Sequence, residues 1–431
     1  MLSITFNYLI GRGIGKNPGS RSSTKYLFAG VFLNVLFLGI FKYANFIVSN
    51  LNGLLDVLSY KPFDDPGIVL PVGISFYTFQ AMSYLIDVYR KETDVQKNPF
   101  NLGLYIALFP QLIAGPIVRY HDIDQQISKR TVSSADFAYG IRRFIIGLAK
   151  KVLLGNNMGA IADLAFNSSA DQLSTPLAWL GLVTYALHIY FDFSGYSDMA
   201  IGLGKMFGFT FLENFNYPYI SRSIKEFWRR WHISLSSWFR DYLYVPLGGN
   251  RKGNPRTYLN LIIVFFITGL WHGASWSFVL WGFLHGFFLI LERVGKGRFP
   301  GMFWRPLQHI YATFVVLMAW VLFRADSVSE AWSYYGALFG NGAAQSDFMI
   351  YSKIANLEFL LFFVISLLSA TGVFVKSGAF LETRLSGLCA KYQSLTEIYR
   401  VGQALFLIGI FILCSVYLIT NTYNPFIYYR F

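Results

Sequence analysis

The hydrophobic residues of this chain are grouped into long uncharged runs, a pattern typical of membrane-spanning helices. A helix needs about 20 apolar residues to cross the hydrocarbon core of a bilayer, which is about 30 Å thick. The runs without Lys, Arg, Asp or Glu lie at 26–41, 66–86, 100–118, 172–191, 257–291, 306–323, 359–375 and 401–429. Two more interrupted segments, at 137–154 and 194–211, bring the expected total to about nine to twelve crossings.

The run 257–291 is too long for a single crossing. As one helix it would extend roughly 50 Å at about 1.5 Å per residue, well beyond the thickness of the core. We therefore expect a turn within it, at the small residues Gly273, Ala274 and Ser275.

The composition agrees with this pattern and excludes several classes of protein. Of the 431 residues, 54% are hydrophobic and only 14% are charged, whereas a soluble domain carries about 25% charged residues. This excludes disordered, collagen-like and nucleic-acid-binding chains. The net charge of +13 comes from basic clusters between the apolar runs, and such clusters favour the cytoplasmic side of a membrane.

The loops with few basic residues are candidates for the outer side of the membrane. They include the pair Asp64 and Asp65 and the stretch 167–172. Because the sequence contains no linker and no internal repeat, we predict one helical membrane domain over residues 1–431.

A histidine in the middle of the longest uncharged run is the first candidate for chemistry. His272 lies in the segment TGLWHGASW at 268–276, and ionisable groups at membrane depth are functional candidates because they are costly to insert. With no carboxylate nearby, the imidazole should stay neutral and could accept a proton as a general base. The alternative is a core histidine bonded to a helix carbonyl, although Gly273 would allow a substrate to approach closely.

The segment 221–249 is the second candidate, because it mixes basic and aromatic residues. The sequence SIKE at 223–226 has the form of a capping box and predicts the start of a helix. Five apolar residues then recur at helical spacing and would share one face: Phe227, Trp231, Leu235, Trp238 and Tyr242. The helix would lie at the interface, re-enter the protein or simply cover its surface. It carries His232, and its Arg229 and Arg230 could bind a lipid head group or a coenzyme phosphate.

The third polar group follows the run 172–191. His188 and Asp192 are four residues apart, so on a helix they share a face and could hydrogen-bond, a structural role that we favour over catalysis. The glycines at 202 and 204 complete no phosphate-binding motif and indicate close helix packing. The six histidines are scattered, so no metal site is expected.

These polar segments belong to a series of motifs through which the chain resembles the membrane-bound O-acyltransferase (MBOAT) family. The resemblance is to the branch that includes the alginate O-acetylation protein AlgI and the D-alanyl transfer protein DltB, and is stronger to the alginate side. It covers most of 70–285, and FIYYRF at 426–431 also fits. The motifs are LPVGISFY (70–77), FPQLIAGP (109–116), YFDFSGYSDMA (190–200), ENFNYPY (213–219), FWRRWHISLS (227–236), RDYLY (240–244), LGGN (247–250) and LWHG (270–273).

The resemblance implies an all-α polytopic fold in which a ring of tilted helices surrounds a central tunnel. His272 would correspond to the family's catalytic histidine, and His232 to a second polar residue held near it in the tunnel. Asp192, Ser194, Asp198 and Asn214 match the remaining polar motifs and would support the site. From the residues themselves, Trp271, Arg229 and Arg230 are further candidates for binding substrate. Family members usually have further hydrophobic helices before the part that matches 6–12, so we expect a shortened form or a start assigned too late.

The activity implied by the resemblance is acyl transfer across the bacterial inner membrane. A cytoplasmic thioester, most directly acetyl-CoA, would donate an acetyl group, with no other cofactor. A periplasmic acetyltransferase partner would then modify a polysaccharide, such as alginate or another exopolysaccharide, or a cell-wall polymer. The alternatives are transfer of D-alanine or another acyl group from a carrier-protein thioester, and a polymer transporter without chemistry. Besides these partners we expect membrane lipids and no nucleic acid.

Overall fold

The computed structural model describes residues 1–113, 115–169, 172–295, 299–342, 354, 356–378, 380, 393–420 and 423–424, and this part of the chain contains helices and no strand. The main helices are α1 (Leu2–Lys16), α2 (Arg21–Val57), α3 (Ile74–Arg90), α4 (Pro99–Ala107), α5 (Phe109–Leu112), α6 (Tyr120–Ser128), α7 (Ser134–Ala149), α8 (Asn156–Phe166), α9 (Thr175–Met206), α10 (Ile224–Arg230), α11 (Ile233–Phe239), α12 (Gly253–His272), α13 (Trp276–Val294), α14 (Arg305–Arg324), α15 (Val328–Leu338), α16 (Leu357–Ala370) and α17 (Gln393–Thr420). Single π-helical turns follow α7 and α11, at Lys150–Gly155 and Arg240–Tyr244.

The predicted class of an all-α membrane protein with several crossings is confirmed. Within the described ranges, four helices are long and apolar enough to span a bilayer: α2, α13, α14 and the part of α17 from Thr396 to Thr420. Helix α16 is apolar but shorter. The FIYYRF motif at 426–431 lies outside the described residues.

The predicted turn within 257–291 is confirmed. Helix α12 ends at His272 and α13 begins at Trp276, with Gly273 extended between them. A Cβ on Gly273 would lie 2.2 Å from the ring of Phe278, so this glycine has a packing reason in addition to the predicted approach of a substrate.

Two of the predicted spans are not continuous helices. In 66–86 the helix begins only at Ile74, after two prolines and two glycines. In 100–118 the chain forms α4 and α5, and the described residues 115–118 are not helical. The break between α4 and α5 lies at Leu108, which is extended. Pro110 accounts for this break, because within a helix its ring would clash with the carbonyl of Ile106.

Two other predicted segments, 172–191 and 194–211, form the single 32-residue helix α9. The carboxylates that interrupt its apolar pattern are paired, which makes them tolerable inside the protein. Asp192 lies 2.6 Å from Lys151, and Asp198 lies 2.7 Å from Arg143 and 2.6 Å from Lys150. The basic partners belong to α7 and to the π-helical turn after it.

Helices α7 and α9 cross closely because glycines face each other at two levels. A Cβ on Gly202 would lie 2.6 Å from the carbonyl oxygen of Gly140, and a Cβ on Gly195 would lie 2.7 Å from that of Gly147. This confirms the packing interpretation of the glycine at 202, since small residues let helix backbones approach in membrane proteins.

We expect Gly202→Ala to destabilise the protein by about 1–3 kcal/mol, because the added methyl group overpacks this crossing. The measurement is the midpoint of thermal unfolding in detergent. Gly39→Ala is the matched control, because a Cβ on Gly39 of α2 meets nothing within 4 Å. Equal midpoints for the two variants would contradict the packing role.

Candidate active site

The helix predicted from Ser223 onward is broken at His232. Ser223 caps α10 as expected, and its Oγ accepts a hydrogen bond from the Glu226 N–H at 3.0 Å. Trp231 is extended, His232 has a left-handed backbone with φ 44° and ψ 55°, and α11 starts anew at Ile233. The five residues of the predicted apolar face are nevertheless all buried. The break turns His232 inward, where it is 0% exposed.

Asn214 holds His232 in this strained conformation, which costs a residue other than glycine about 1–2 kcal/mol. The Asn214 carbonyl accepts a hydrogen bond from the Ile233 N–H at 2.9 Å. Its side-chain Oδ1 accepts from the Ser234 N–H at 3.2 Å and from Ser234 Oγ at 2.9 Å, and it lies 3.1 Å from His232 Nδ1. The Nδ2 group donates to Ser197 Oγ at 3.0 Å. Asn214 therefore contacts both the imidazole of His232 and the backbone that follows it.

These bonds also assign the tautomer of His232. A backbone N–H can only donate, so the atom that faces Ser234 N is the oxygen of the Asn214 amide. His232 Nδ1 must then carry the hydrogen and donate to that oxygen, which leaves the lone pair of a neutral imidazole on Nε2. His232 can thus accept a hydrogen bond on its other side.

His272, the last residue of α12, lies in an aromatic enclosure and is 5% exposed. Its ring centroid lies 4.8 Å from that of Trp271, 4.9 Å from Trp281 and 5.0 Å from Phe323. The ring of His232 lies 6.1 Å from that of Trp271. The fold therefore brings the two histidines, forty positions apart in the sequence, to the same indole.

Trp271 also offers a hydrogen-bond donor to the site. Its indole Nε1 is buried and has no acceptor among the residues that the structure describes. A buried N–H normally has a partner, because leaving it unsatisfied costs about 1–3 kcal/mol. The Trp271 ring is fixed between Phe76 and Phe79, each with a centroid 5.5 Å away. This donor is therefore held in place for a group that enters the site.

A cavity of about 430 Å³, which we call the basic-side cavity, runs along α12 as far as Thr268. Its floor is apolar and includes Trp228, Leu235, Phe239, Val264, Phe265 and Leu289. Lys225, Arg229 and Arg240 also line it, and Thr268, one turn before His272, lies along the same helix. A second cavity, of about 800 Å³, shares Lys225, Leu261 and Leu289 with the first and adds Arg222 and Arg293.

Two smaller cavities lie at the opposite end of α12. One of about 140 Å³ is lined by Trp271, His272, Lys42, Ser75 and residues 70–74. The other, of about 350 Å³, shares Lys42 and Leu70 with it and includes Gly273, Arg324 and Asp326. The end of α12 that carries His272 is therefore approached by cavities from both directions.

The other predicted site residues divide into two groups. Arg229 lines the basic-side cavity, but Arg230 is held by Glu226 at 2.8 Å and donates to the Asn216 carbonyl at 3.0 Å. Ser194 Oγ is buried without a partner among the described residues. Asp192 and Asp198 are held by the basic residues of the α7–α9 crossing.

The predicted hydrogen bond between His188 and Asp192 is wrong. His188 Nδ1 instead lies 2.8 Å from the carbonyl oxygen of Gly155, and Asp192 pairs with Lys151. A cation from the π-helical turn is a better partner for the buried carboxylate than a neutral imidazole would be.

A hydrogen-bonded cluster on the basic side joins α3, α6 and the π-helical turn after α11. Asp87, Glu92 and His121 offer ligand atoms within 4.8 Å of one another. Both oxygens of Asp87 already accept hydrogen bonds, however, from Tyr242 Oη at 2.6 Å and from His121 Nδ1 at 3.0 Å. The bond to Asp87 raises the pKa of His121 above its ordinary value. The cluster fits a structural connection between these elements.

Sequence reasoning missed Lys42 and Tyr43 on α2. Lys42 Nζ donates to the carbonyl oxygens of Trp271 and, at 3.3 Å, of His272, while Tyr43 Oη donates to that of Leu270 at 2.6 Å. A signal was present, because Lys42 is the only charged residue between Lys25 and Asp56. In the sequence it ends the apolar run 26–41, whereas in the structure it lies in the middle of α2.

Comparison with known proteins identifies the family of this chain. The sequence model of the membrane-bound O-acyltransferase family matches residues 90–333, which include both histidines. The probable alginate O-acetylase AlgI of Azotobacter vinelandii is 48% identical over 338 residues, covering 78% of this chain and 67% of the relative. The peptidoglycan O-acetyltransferase of Helicobacter pylori is 37% identical over 359 residues, covering 76% and 67%.

A more distant relative is the teichoic acid D-alanyltransferase of Bacillus subtilis, 32% identical over 228 residues and covering 50% of this chain and 56% of the relative. The family match covers more than half of the chain, and the apolar helices and the enclosed histidine agree with it. This chain is therefore a multi-pass membrane enzyme that belongs to the membrane-bound O-acyltransferase family.

Proposed function

We propose that this enzyme transfers an acetyl group from cytoplasmic acetyl-CoA to a hydroxyl acceptor reached from the other side of the bacterial inner membrane. The acetyl group would pass to a periplasmic acetyltransferase partner and then to a polysaccharide or cell-wall polymer. The names of the Azotobacter and Helicobacter relatives support an O-acetylation of this kind.

The observation that carries this proposal is the basic-side cavity. Its apolar floor suits the uncharged pantetheine arm of a thioester, and Lys225 and Arg229 line it where phosphates would lie. Arg222 and Arg230 pair with Glu226, whereas Lys225 and Arg229 form no ion pair with a described residue. The adjoining cavity of about 800 Å³ leaves room for a nucleotide next to the arm. A thioester on a carrier protein has no nucleotide, so it would not need this second cavity.

In the proposed reaction His272 acts as the general base. A neutral imidazole takes the proton of the acceptor hydroxyl as its oxygen attacks the thioester carbonyl, and the thiolate of the donor leaves. His232 Nε2 accepts a hydrogen bond and would orient the hydroxyl. Trp271 Nε1 would donate to the developing oxyanion. The smaller cavities beyond His272 would admit the acceptor.

The donor assignment is tested by binding of CoA to the purified protein in detergent. We expect Arg229→Ala to weaken CoA binding about tenfold, because a hydrogen bond to a charged group contributes about 1.5–3 kcal/mol. Arg21→Ala is the matched control, since this exposed arginine starts α2 and does not line the cavity. Pantetheine, which lacks the nucleotide, should bind both variants and the wild type equally.

Two results would overturn the acetyl-CoA proposal. The first is equal CoA affinity for Arg229→Ala and Arg21→Ala. The second is acyl transfer from a carrier-protein thioester but not from acetyl-CoA, which would favour the D-alanyl type of donor instead.

A further inference from the structure

We propose that Lys42 and Tyr43 form a clamp on α2 that holds the last turn of α12 and thereby positions His272. The two residues would be positioning residues, acting on the reaction through the backbone that carries the histidine. Their catalytic consequence rests on the proposed function, whereas the structural consequence for His272 does not.

The clamp completes the hydrogen bonding at the end of α12. The last four carbonyl groups of a helix have no partner within the helix and must be satisfied from outside. The carbonyl of Gly269 accepts from the Gly273 N–H at 3.3 Å. The next, of Leu270, accepts from Tyr43 Oη, and the last two, of Trp271 and His272, both accept from Lys42 Nζ.

No ordinary helix cap is available at this end. Many helices end with a glycine in the left-handed conformation, whose N–H groups return to the last turn. Gly273 is instead extended, with φ −168° and ψ 155°. This leaves the carbonyls at the end of α12 directed toward α2.

Burying the Lys42 side chain costs free energy, which its contacts with the end of α12 help to offset. The residue is 8% exposed and lies near the middle of the 37-residue helix α2, where insertion of a lysine costs about 2.5–3.5 kcal/mol. The negative end of the α12 dipole offsets part of this cost. Lys42 Nζ also lies 3.3 Å from Ser75 Oγ on α3, so the ammonium group joins three helices at the site.

The consequence of the clamp is a fixed direction for the imidazole. His272 is the terminal residue of its helix, and helix ends fray when their carbonyls lack partners. A displacement of about 1 Å can lower the rate of a positioned reaction about 100-fold. The clamp prevents fraying where the reaction requires precise placement.

The first test compares Lys42→Met, Lys42→Arg and Tyr43→Phe in membrane vesicles supplied with acetyl-CoA. We expect Lys42→Met to lower kcat by up to about 100-fold, because a misplacement of about 1 Å can cost that much, with the KM for the donor unchanged. Lys42→Arg keeps the charge and the donors and should recover at least tenfold of the loss. Tyr26→Phe, at an exposed tyrosine of α2, is the control for Tyr43→Phe.

The second test does not depend on activity. Diethylpyrocarbonate modifies accessible imidazoles, and mass spectrometry reports its rate at each histidine. We expect His272 to react at least several-fold faster in Lys42→Met and, to a smaller degree, in Tyr43→Phe than in the wild type. His309 on α14 is the internal reference, because it lies outside the clamp.

The outcomes separate the clamp from the proposed function. An unchanged rate at His272 in both Lys42→Met and Tyr43→Phe overturns the clamp, whatever happens to transfer. A faster rate at His272 together with full acetyl transfer supports the clamp and overturns the catalytic role of His272. If Lys42→Met fails to fold, Tyr43→Phe, which removes a single hydroxyl group, decides the question.

Discussion

Replacing His272 by glutamine is expected to lower acetyl transfer about 10²–10⁴-fold, the usual contribution of general acid–base catalysis. Glutamine can hydrogen-bond within the aromatic enclosure but cannot take a proton from the acceptor hydroxyl. The imidazole is buried among the rings of Trp271, Trp281 and Phe323, and desolvation favours its neutral form. The KM for the donor should change little, because the basic-side cavity is untouched.

The measurement is polymer acetylation in cells, normalised to the amount of enzyme in the membrane. His309→Gln is the matched control, since His309 lies on α14 and its Nδ1 is 3.2 Å from the Ser221 carbonyl oxygen, away from the site. A polymer transporter without chemistry predicts equal acetylation for both variants. That result would remove His272 from the reaction.

The sequence predicted the membrane class and the turn after His272, because each has a local signal. It also singled out His272 as a candidate for chemistry, and that role stays a prediction. The turn follows from the length of an uncharged run, and His272 stands out as a polar residue in the middle of that run. The burial of the five aromatic and aliphatic residues on α10, α11 and the π-helical turn also followed from their spacing. These features depend on the order of residues alone.

The features that the sequence could not give depend on contacts between distant segments. Helix α9 is continuous because basic residues of α7 and of the π-helical turn after it pair with the carboxylates that interrupt its apolar pattern. In the sequence, Lys42 only ends an apolar run. Its role depends on the carbonyls of α12, which lie beside it in the fold but more than two hundred positions later in the chain. The break at His232 has no local cause either, since Ser223 to Tyr242 favours one continuous helix.

Replacing Asn214 by leucine is expected to restore part of that continuous helix and to disable the site. Leucine leaves His232 Nδ1, Ser234 N and Ser234 Oγ without the oxygen that accepts from all three. Each unsatisfied buried donor costs about 1–3 kcal/mol. The left-handed conformation of His232, itself about 1–2 kcal/mol unfavourable, then keeps only the backbone bond from the Ile233 N–H to the carbonyl of residue 214. We expect the free energy of unfolding to fall by at least about 3 kcal/mol, since three donors lose their acceptor, and transfer to fall about 100-fold.

Ser197→Ala provides the matched comparison, because it removes the acceptor of Asn214 Nδ2 and leaves Oδ1 in place. It should cost about 1–3 kcal/mol, because it leaves one buried donor without its acceptor, and should keep most of the transfer activity. Thermal unfolding in detergent and acetyl transfer in vesicles are measured on both variants. If Asn214→Leu matches Ser197→Ala in both, the conformation of His232 is fixed by packing against the rings of Phe193, 4.6 Å away, and Trp271, 6.1 Å away, and not by Asn214. If the two differ as expected, Asn214 Oδ1 is the group that breaks the continuous helix at His232 and thereby forms the site.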